Sequence, residues 1–292
     1  MTPNVECIVD SRSELGEGAV WDVRENCLWW LDINGEKVHR FDPETGKNTD
    51  WDVGERVGCL AIREQDGLIL AMKSGIYTFD TESGRTTFVI DPEGKPDNRF
   101  NDGTTDRQGR FWAGTMRDDG VLATDGTFYR VDFDLTVTAV LPGFFTTNGS
   151  AFSPDGKTMY VSDSNADVRT IWAMDYDTDT GNPLNRRVFF DSREVAGRPD
   201  GGTVDADGCY WMAGVGGWQV VRITPEGKVD RIIEMPVEKP TKPMFGGPNL
   251  DTLYVTSLKA GLPDLSNQPQ AGSLFAITGL GVTGVPEARF QG

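Results

Sequence analysis

The chain has 292 residues, 38% of them hydrophobic, and a formal net charge of −17. That length and apolar content suffice for a sizeable core without disulfide staples. The acidity, with no basic cluster to offset it, excludes nucleic acid and anionic membrane surfaces as partners. Four cysteines, Cys7, Cys27, Cys59 and Cys209, form no C-x-x-C pair, so free thiols are expected rather than a zinc–thiolate site.

The N-terminal stretch is polar and charged. It lacks the apolar centre of a signal peptide, and no later segment is long and apolar enough to span a membrane, so a cytoplasmic location is expected. A short apolar segment, residues 5–9, comes first and is expected to pair with the last blade and seal the ring. A recurring unit then begins: an apolar strand, a polar turn with Gly or Asn, and a second strand rich in aromatics. It reads EGAVWDVRENCLWW from Glu17, GCLAIREQDGLIL from Gly58, NDGTTDRQGRFW from Asn101, NGSAFSPDGKTMY from Asn148 and DGGTVDADGCYW from Asp200. A looser copy, TKPMFGGPNLDTLY, begins at Thr241. The starts lie 41, 43, 47, 52 and 41 residues apart, and each copy is followed by a further strand–turn pair such as KVHRFDPETGK or GIYTFDTESGR.

A period of about 40–50 residues with about four strands in each copy is that of a propeller blade. Six copies predict an all-β, six-bladed β-propeller with a central channel, formed by residues 1–292 as a single domain. No stretch keeps helical spacing of apolar residues over several turns, and the 35 glycines suit many tight turns.

With the copies in register, their first residues are Glu17, Gly58, Asn101, Asn148, Asp200 and Thr241. On the innermost strand of a closed ring these positions converge at one mouth of the channel. Four of them carry a carboxylate or carboxamide, the oxygen donors that a hard divalent cation prefers. Strand-end capping and channel water are the competing uses of such residues. Other motifs are weaker. Asp175-x-Asp177-x-Asp179 resembles the start of a calcium loop, but its glycine and terminal acid are misplaced, and it reads as an acidic hairpin. VGGW at residues 215–218 precedes no helix and is no phosphate loop. His39, the only histidine, reads as a surface or interface residue on an alternating strand, which disfavours a histidine-dependent hydrolase.

LGEGAVW at residues 15–21 and RFNDGTTDRQGRFWAGTM at residues 99–116 resemble motifs of the SMP-30/gluconolactonase family. So do NGSAFSPDGKTMYVSDS, RPDGGTVDADGCYW and KPMFGGPNLDTLYVTSL, which follow in the family's order over nearly the whole chain. The resemblance implies one divalent ion held by Glu17, Asn148 and Asp200. Calcium is the first expectation, with zinc, manganese and magnesium as alternatives. It further implies that Arg99 and Asn101 contact substrate beside the ion, and that Asp119 does so where family members usually carry Glu. The implied activity is hydrolysis of small sugar-acid lactones, by a monomer or weak homo-oligomer. Asp200 is the candidate general base, because a ligand carboxylate also reaches an attacking water. The alternatives are a calcium-binding regulatory protein without catalysis, and a phosphotriesterase- or arylesterase-like hydrolase on a similar propeller.

Overall fold

The computed structural model describes residues 2–292. It is a six-bladed β-propeller of six four-stranded antiparallel sheets, and its only helix among the described residues is one 3-10 turn at Ser192–Glu194. Each blade starts with one of the strands foreseen from the repeat. These are β2 (Gly16–Asp22), β6 (Val57–Ile62), β10 (Asn98–Thr105), β14 (Thr147–Phe152), β18 (Arg198–Val204) and β22 (Pro240–Gly246). They are the innermost strands, and each packs beside the next around the ring, β22 returning to β2. Blades one to five follow chain order outward from there. Blade six is completed by β23 (Thr252–Ser257), β24 (Leu274–Thr278) and the N-terminal strand β1 (Asn4–Val9). β1 pairs antiparallel with β24, from Asn4 opposite Thr278 to Val9 opposite Leu274. The ring is therefore closed by pairing the first strand with the last one in blade six, as the apolar segment at residues 5–9 suggested.

The core consists of six apolar clusters, one in each gap between neighbouring blades. β3 (Cys27–Asp32) has the sequence CLWWLD and is buried throughout. Its odd residues, Cys27, Trp29 and Leu31, face blade two, whereas Leu28 and Trp30 face blade six. The side-chain period of two thus serves two apolar faces at once. Each large side chain buried in this way contributes about 1.5–3 kcal/mol. The same geometry corrects the expectation for His39 on β4 (Lys37–Asp42): it is buried, stacked on Trp30 at 3.9 Å. Burial pushes its imidazole down to about 4, so it is neutral, and its Nδ1 lies 3.1 Å from Asn48 Nδ2. A strand with a polar alternation need not face water when a second blade covers it.

Turns form where the sequence placed them. At the β18–β19 hairpin, β19 being Tyr210–Val215, Asp205 accepts hydrogen bonds from the backbone N–H groups of Asp207 and Cys209, and Gly208 takes φ of +82°. The Asp177 segment is likewise a hairpin, its carboxylate capping the N–H groups of Asp179 and Thr180. All four cysteines are free. Beyond β24 the chain crosses the mouth at the C-terminal ends of the innermost strands. Phe290 is buried among blades two and three, and the carbonyl of Ala288 accepts from Thr105 Oγ1.

Candidate active site

The N-terminal ends of the six innermost strands gather at the other mouth of the channel. Each of these strands is bulged at the same place, with a register shift just after the first residue of the repeat or one residue before it. The shifts fall at Glu17/Val20, Val57/Cys59, Phe100/Gly103, Asn148/Ala151, Pro199/Gly202 and Pro240/Pro243. A bulge breaks strict alternation and re-aims a side chain. Here it turns two consecutive residues of one strand toward the axis. Gly18 and Gly149, which follow Glu17 and Asn148, hold φ of +61° and +63° to allow it. A Cβ on Gly149 would also lie 2.5 Å from the Tyr210 hydroxyl.

Glu17, Asn148 and Asp200 are all buried at this mouth. Desolvation, then the neighbouring Asp200 and Asp102 carboxylates, hold the Glu17 carboxyl well above its ordinary range. Asp200 is pushed up to about 7, chiefly by burial and then by Asp102, against the opposing pull of Arg198 and Lys242. Asn148 donates from Nδ2 to Ser164 Oγ at 2.7 Å, and Ser164 Oγ donates in turn to the Pro199 carbonyl. That chain fixes the orientation of the carboxamide and leaves Asn148 Oδ1 buried with no hydrogen-bond partner. A buried acceptor without a donor, beside two carboxyl groups that resist ionisation, is an oxygen donor set of the kind that suits a hard cation.

Asn101 differs. Its Oδ1 accepts from Arg99 Nη1 at 2.8 Å, and its Nδ2 donates to the Thr147 carbonyl at 2.8 Å. The four oxygen-bearing positions of the repeat therefore divide into three with an acceptor to offer and one already bound to a buried arginine. Arg99 also donates from Nε to Asp118 at 3.2 Å. Asp119 is not part of this group. Both its oxygens pair with Arg117 at 2.8 Å, its remaining hydrogen bond comes from the Val121 N–H, and the guanidinium holds its carboxyl down to about 2. The carboxylate that follows the GTM segment and meets Arg99 is its neighbour Asp118.

Two further buried residues, unforeseen from the sequence, lie at the next position of the repeat. Asp102 follows Asn101 in blade three, and Lys242 follows Thr241 in blade six. Lys242 Nζ donates to Asp102 Oδ1 at 2.8 Å, while the N–H and hydroxyl of Ser150 donate to Asp102 Oδ2 at 2.8 and 2.7 Å. Blades three and six are opposite in a ring of six, so this pair spans the channel just inside the carboxylates. Gly201 makes room for it: a Cβ there would lie 2.4 Å from Lys242 Cδ. Burial lowers the Lys242 ammonium most, but Asp102, Glu17 and Glu287 together outweigh it and raise the group.

Asp22, Glu25 and Cys27 form a second cluster of possible metal donors, at the opposite end of β2. Its donors are already used. Asp22 accepts Arg289 Nη2 at 2.5 and 2.7 Å, Glu25 pairs with Arg40 at 3.0 Å, and burial pushes the Cys27 thiol up to about 12.

Fold and site together define a propeller whose axis carries an oxygen-rich polar centre with an arginine–asparagine pair at its edge. The chain belongs to the SMP-30/gluconolactonase/LRE-like family, whose profile matches residues 15–259. It is 38% identical over 298 residues to a 6-deoxy-6-sulfogluconolactonase of Pseudomonas putida, covering 100% of both chains. It is 38% identical to a regucalcin of Xenopus laevis, covering 99% of this chain and 98% of that one. A crystal structure described as a calcium-binding protein, regucalcin, from Agrobacterium tumefaciens superposes with a TM-score of 0.92 at 30% identity, over 97% of this chain and 96% of that one. No helix among the described residues is long and apolar enough to cross a membrane.

Proposed function

We propose that the chain hydrolyses lactones of sugar acids at this mouth, with one divalent ion held by Glu17, Asn148 and Asp200. The observation that carries the reading is the unpartnered Asn148 Oδ1 beside two buried carboxyl groups, next to an Arg99–Asn101 pair that ion binding alone does not require. Bound there, a divalent ion would polarise a carbonyl and acidify a water. Glu17 and Asp200 supply the negative charge that holds it. Arg99 presents its planar fork to the substrate's hydroxyls, held in place by Phe100 O and Asn101 Oδ1, each at 2.8 Å. Asp200 takes a proton from the attacking water and returns it to the departing ring oxygen, so that lactone and water give the open hydroxy acid. Calcium is proposed as the ion, in keeping with the calcium-binding relative, and a titration with calcium, zinc, manganese and magnesium tests that choice.

The experiment is proton release on addition of a panel of γ- and δ-sugar lactones, with phenyl acetate and paraoxon as controls, before and after removal of divalent ions. Turnover of lactones alone, lost on chelation and restored by one ion, is expected. Ion binding with no turnover of any lactone would leave the calcium-binding regulatory reading in its place.

Removing the ion also has an expected signature in stability. The Asp200 carboxyl, at about 7, lies above its ordinary value of 3.8. Its contribution is therefore fully present below the unfolded value and is lost as pH rises through the folded one. Glu17 acts in the same direction. The metal-free protein should melt at lower temperature at about pH 8 than at about pH 5. Saturating calcium, which favours both carboxylates in their ionised form, should stabilise the protein at the higher pH by about 2.7 kcal/mol at a hundredfold excess over Kd. A melting temperature unmoved by chelator and by calcium at either pH would remove the ion from this site.

A further inference from the structure

Asp118, immediately after β11 (Phe111–Arg117), receives three cations: Arg56 Nη1 at 2.5 Å, Arg99 Nε at 3.2 Å and Lys73 Nζ at 3.5 Å. A single carboxylate balances one of them. Arg99 is buried and already serves Asn101, so it accounts for the structural role of the pair. Arg56 and Lys73 are 37% and 43% exposed, and their ion pairs among the described residues go to Asp118 alone. A guanidinium carries several N–H donors and an ammonium three rotatable ones, so most of theirs face solvent. The neighbouring acids do not claim them. Glu55 accepts the Ser74 hydroxyl at 2.6 Å, Glu93 accepts Thr115 Oγ1 at 2.9 Å and Asn98 Nδ2 at 3.1 Å, and Asp119 belongs to Arg117.

The placement is built into blade two. Arg56 directly precedes β6 and Lys73 directly follows β7 (Leu68–Met72), and the Lys73 N–H donates to the Arg56 carbonyl at 2.8 Å. Both therefore stand at the mouth where Glu17, Asn101, Asn148 and Asp200 gather. Lys73 also borders a cavity of about 480 Å³ between blades two and three, but Glu55, Asp91 and Glu93 line it too, so the anion is placed at Arg56 and Lys73 on the rim and not in that cavity. In a chain with net charge −17, two half-exposed cations that share one carboxylate with a buried arginine give an anion a place to bind at the rim of the site.

We infer that the lactone taken by this site carries an anionic group, a carboxylate or a sulfonate, received by Arg56 and Lys73 while Arg99 and Asn101 hold the sugar hydroxyls. This rests on the lactonase reading and names its substrate class.

The test compares kcat/KM for three hexonolactones: one neutral, one carrying a carboxylate and one carrying a sulfonate. They are measured on the metal-loaded wild type and on R56A/K73A. The wild type should prefer one or both anionic lactones, with a preference that falls as salt is added. R56A/K73A should lose about tenfold or more on the preferred anionic lactone and stay within about twofold on the neutral one. The charge-conserving R56K/K73R should recover much of the loss. The two anionic arms separate carboxylate from sulfonate recognition. A wild type that prefers the neutral lactone, a variant that loses on all three alike, or one that loses on none overturns the inference and leaves the lactonase reading standing. Turnover of no lactone by the wild type overturns both.

Discussion

Asp200→Asn is expected to lower kcat by about a hundredfold to ten-thousandfold, the range general bases contribute. The substitution keeps the shape of the side chain and its place on β18, so folding is not the issue. What it removes is a proton acceptor. Burial pushes the metal-free carboxyl up to about 7, and a bound divalent ion would hold it ionised, the form a base needs. A carboxamide at the same position accepts no proton. Because the proton moves only as the water attacks, kcat and kcat/KM should fall together while KM stays near its starting value. Glu17→Gln is the contrast. It also removes one negative charge from the ion's surroundings, but at a residue given no part in proton transfer, so its loss should be recovered by raising the calcium concentration. Steady-state proton release at several calcium concentrations, with ion binding followed by calorimetry, separates the two. Full activity of Asp200→Asn, or recovery of its activity by calcium alone, would move the base elsewhere.

The fold was legible because its pattern repeats. Each blade needs an innermost strand with two apolar faces, and the six starts from Glu17 to Thr241 fall on the strands that line the channel. The chemistry of the site was legible where it coincides with the repeat, at Glu17, Asn101, Asn148 and Asp200. It was hidden where the strands are bulged. Strict alternation points Asp102 and Lys242 away from a channel that their neighbours face, and only the register shift in β10 and β22 turns them inward. A signal was present nonetheless. At the same repeat position the other blades carry Gly18, Cys59, Gly149 and Gly201, all small, so an Asp and a Lys three blades apart stand out as a pair. Asp118 was missed for a different reason. Two adjacent aspartates after Arg117 offer the same chemistry, and a loop with no repeat partner gives no rule for choosing between them. His39 was misplaced because a strand covered on both faces hides the polar side of its alternation.

The Asp102–Lys242 pair gives the largest expected effect on stability. Lys242→Met preserves most of the side-chain volume but strands Asp102 in the channel, close to Glu17 and Asp200, whose carboxyl groups it already pushes upward. Ser150 satisfies one oxygen of Asp102, and the other loses its only charged partner. Breaking a buried ion pair from one side costs about 3–5 kcal/mol, because the remaining charge has no water to return to. Replacing both members is a different experiment. Asp102→Asn in the Lys242→Met background removes the stranded charge, keeps an acceptor for Ser150, and should recover most of the loss, since a buried pair exchanged for uncharged groups is often close to neutral. Urea denaturation of the wild type, both single variants and the double variant, each in its metal-free form, gives the coupling energy directly. If Lys242→Met costs less than about 1 kcal/mol, or if the double variant is as unstable as the two singles summed, the pair is not the strut across the channel that its position in opposite blades implies.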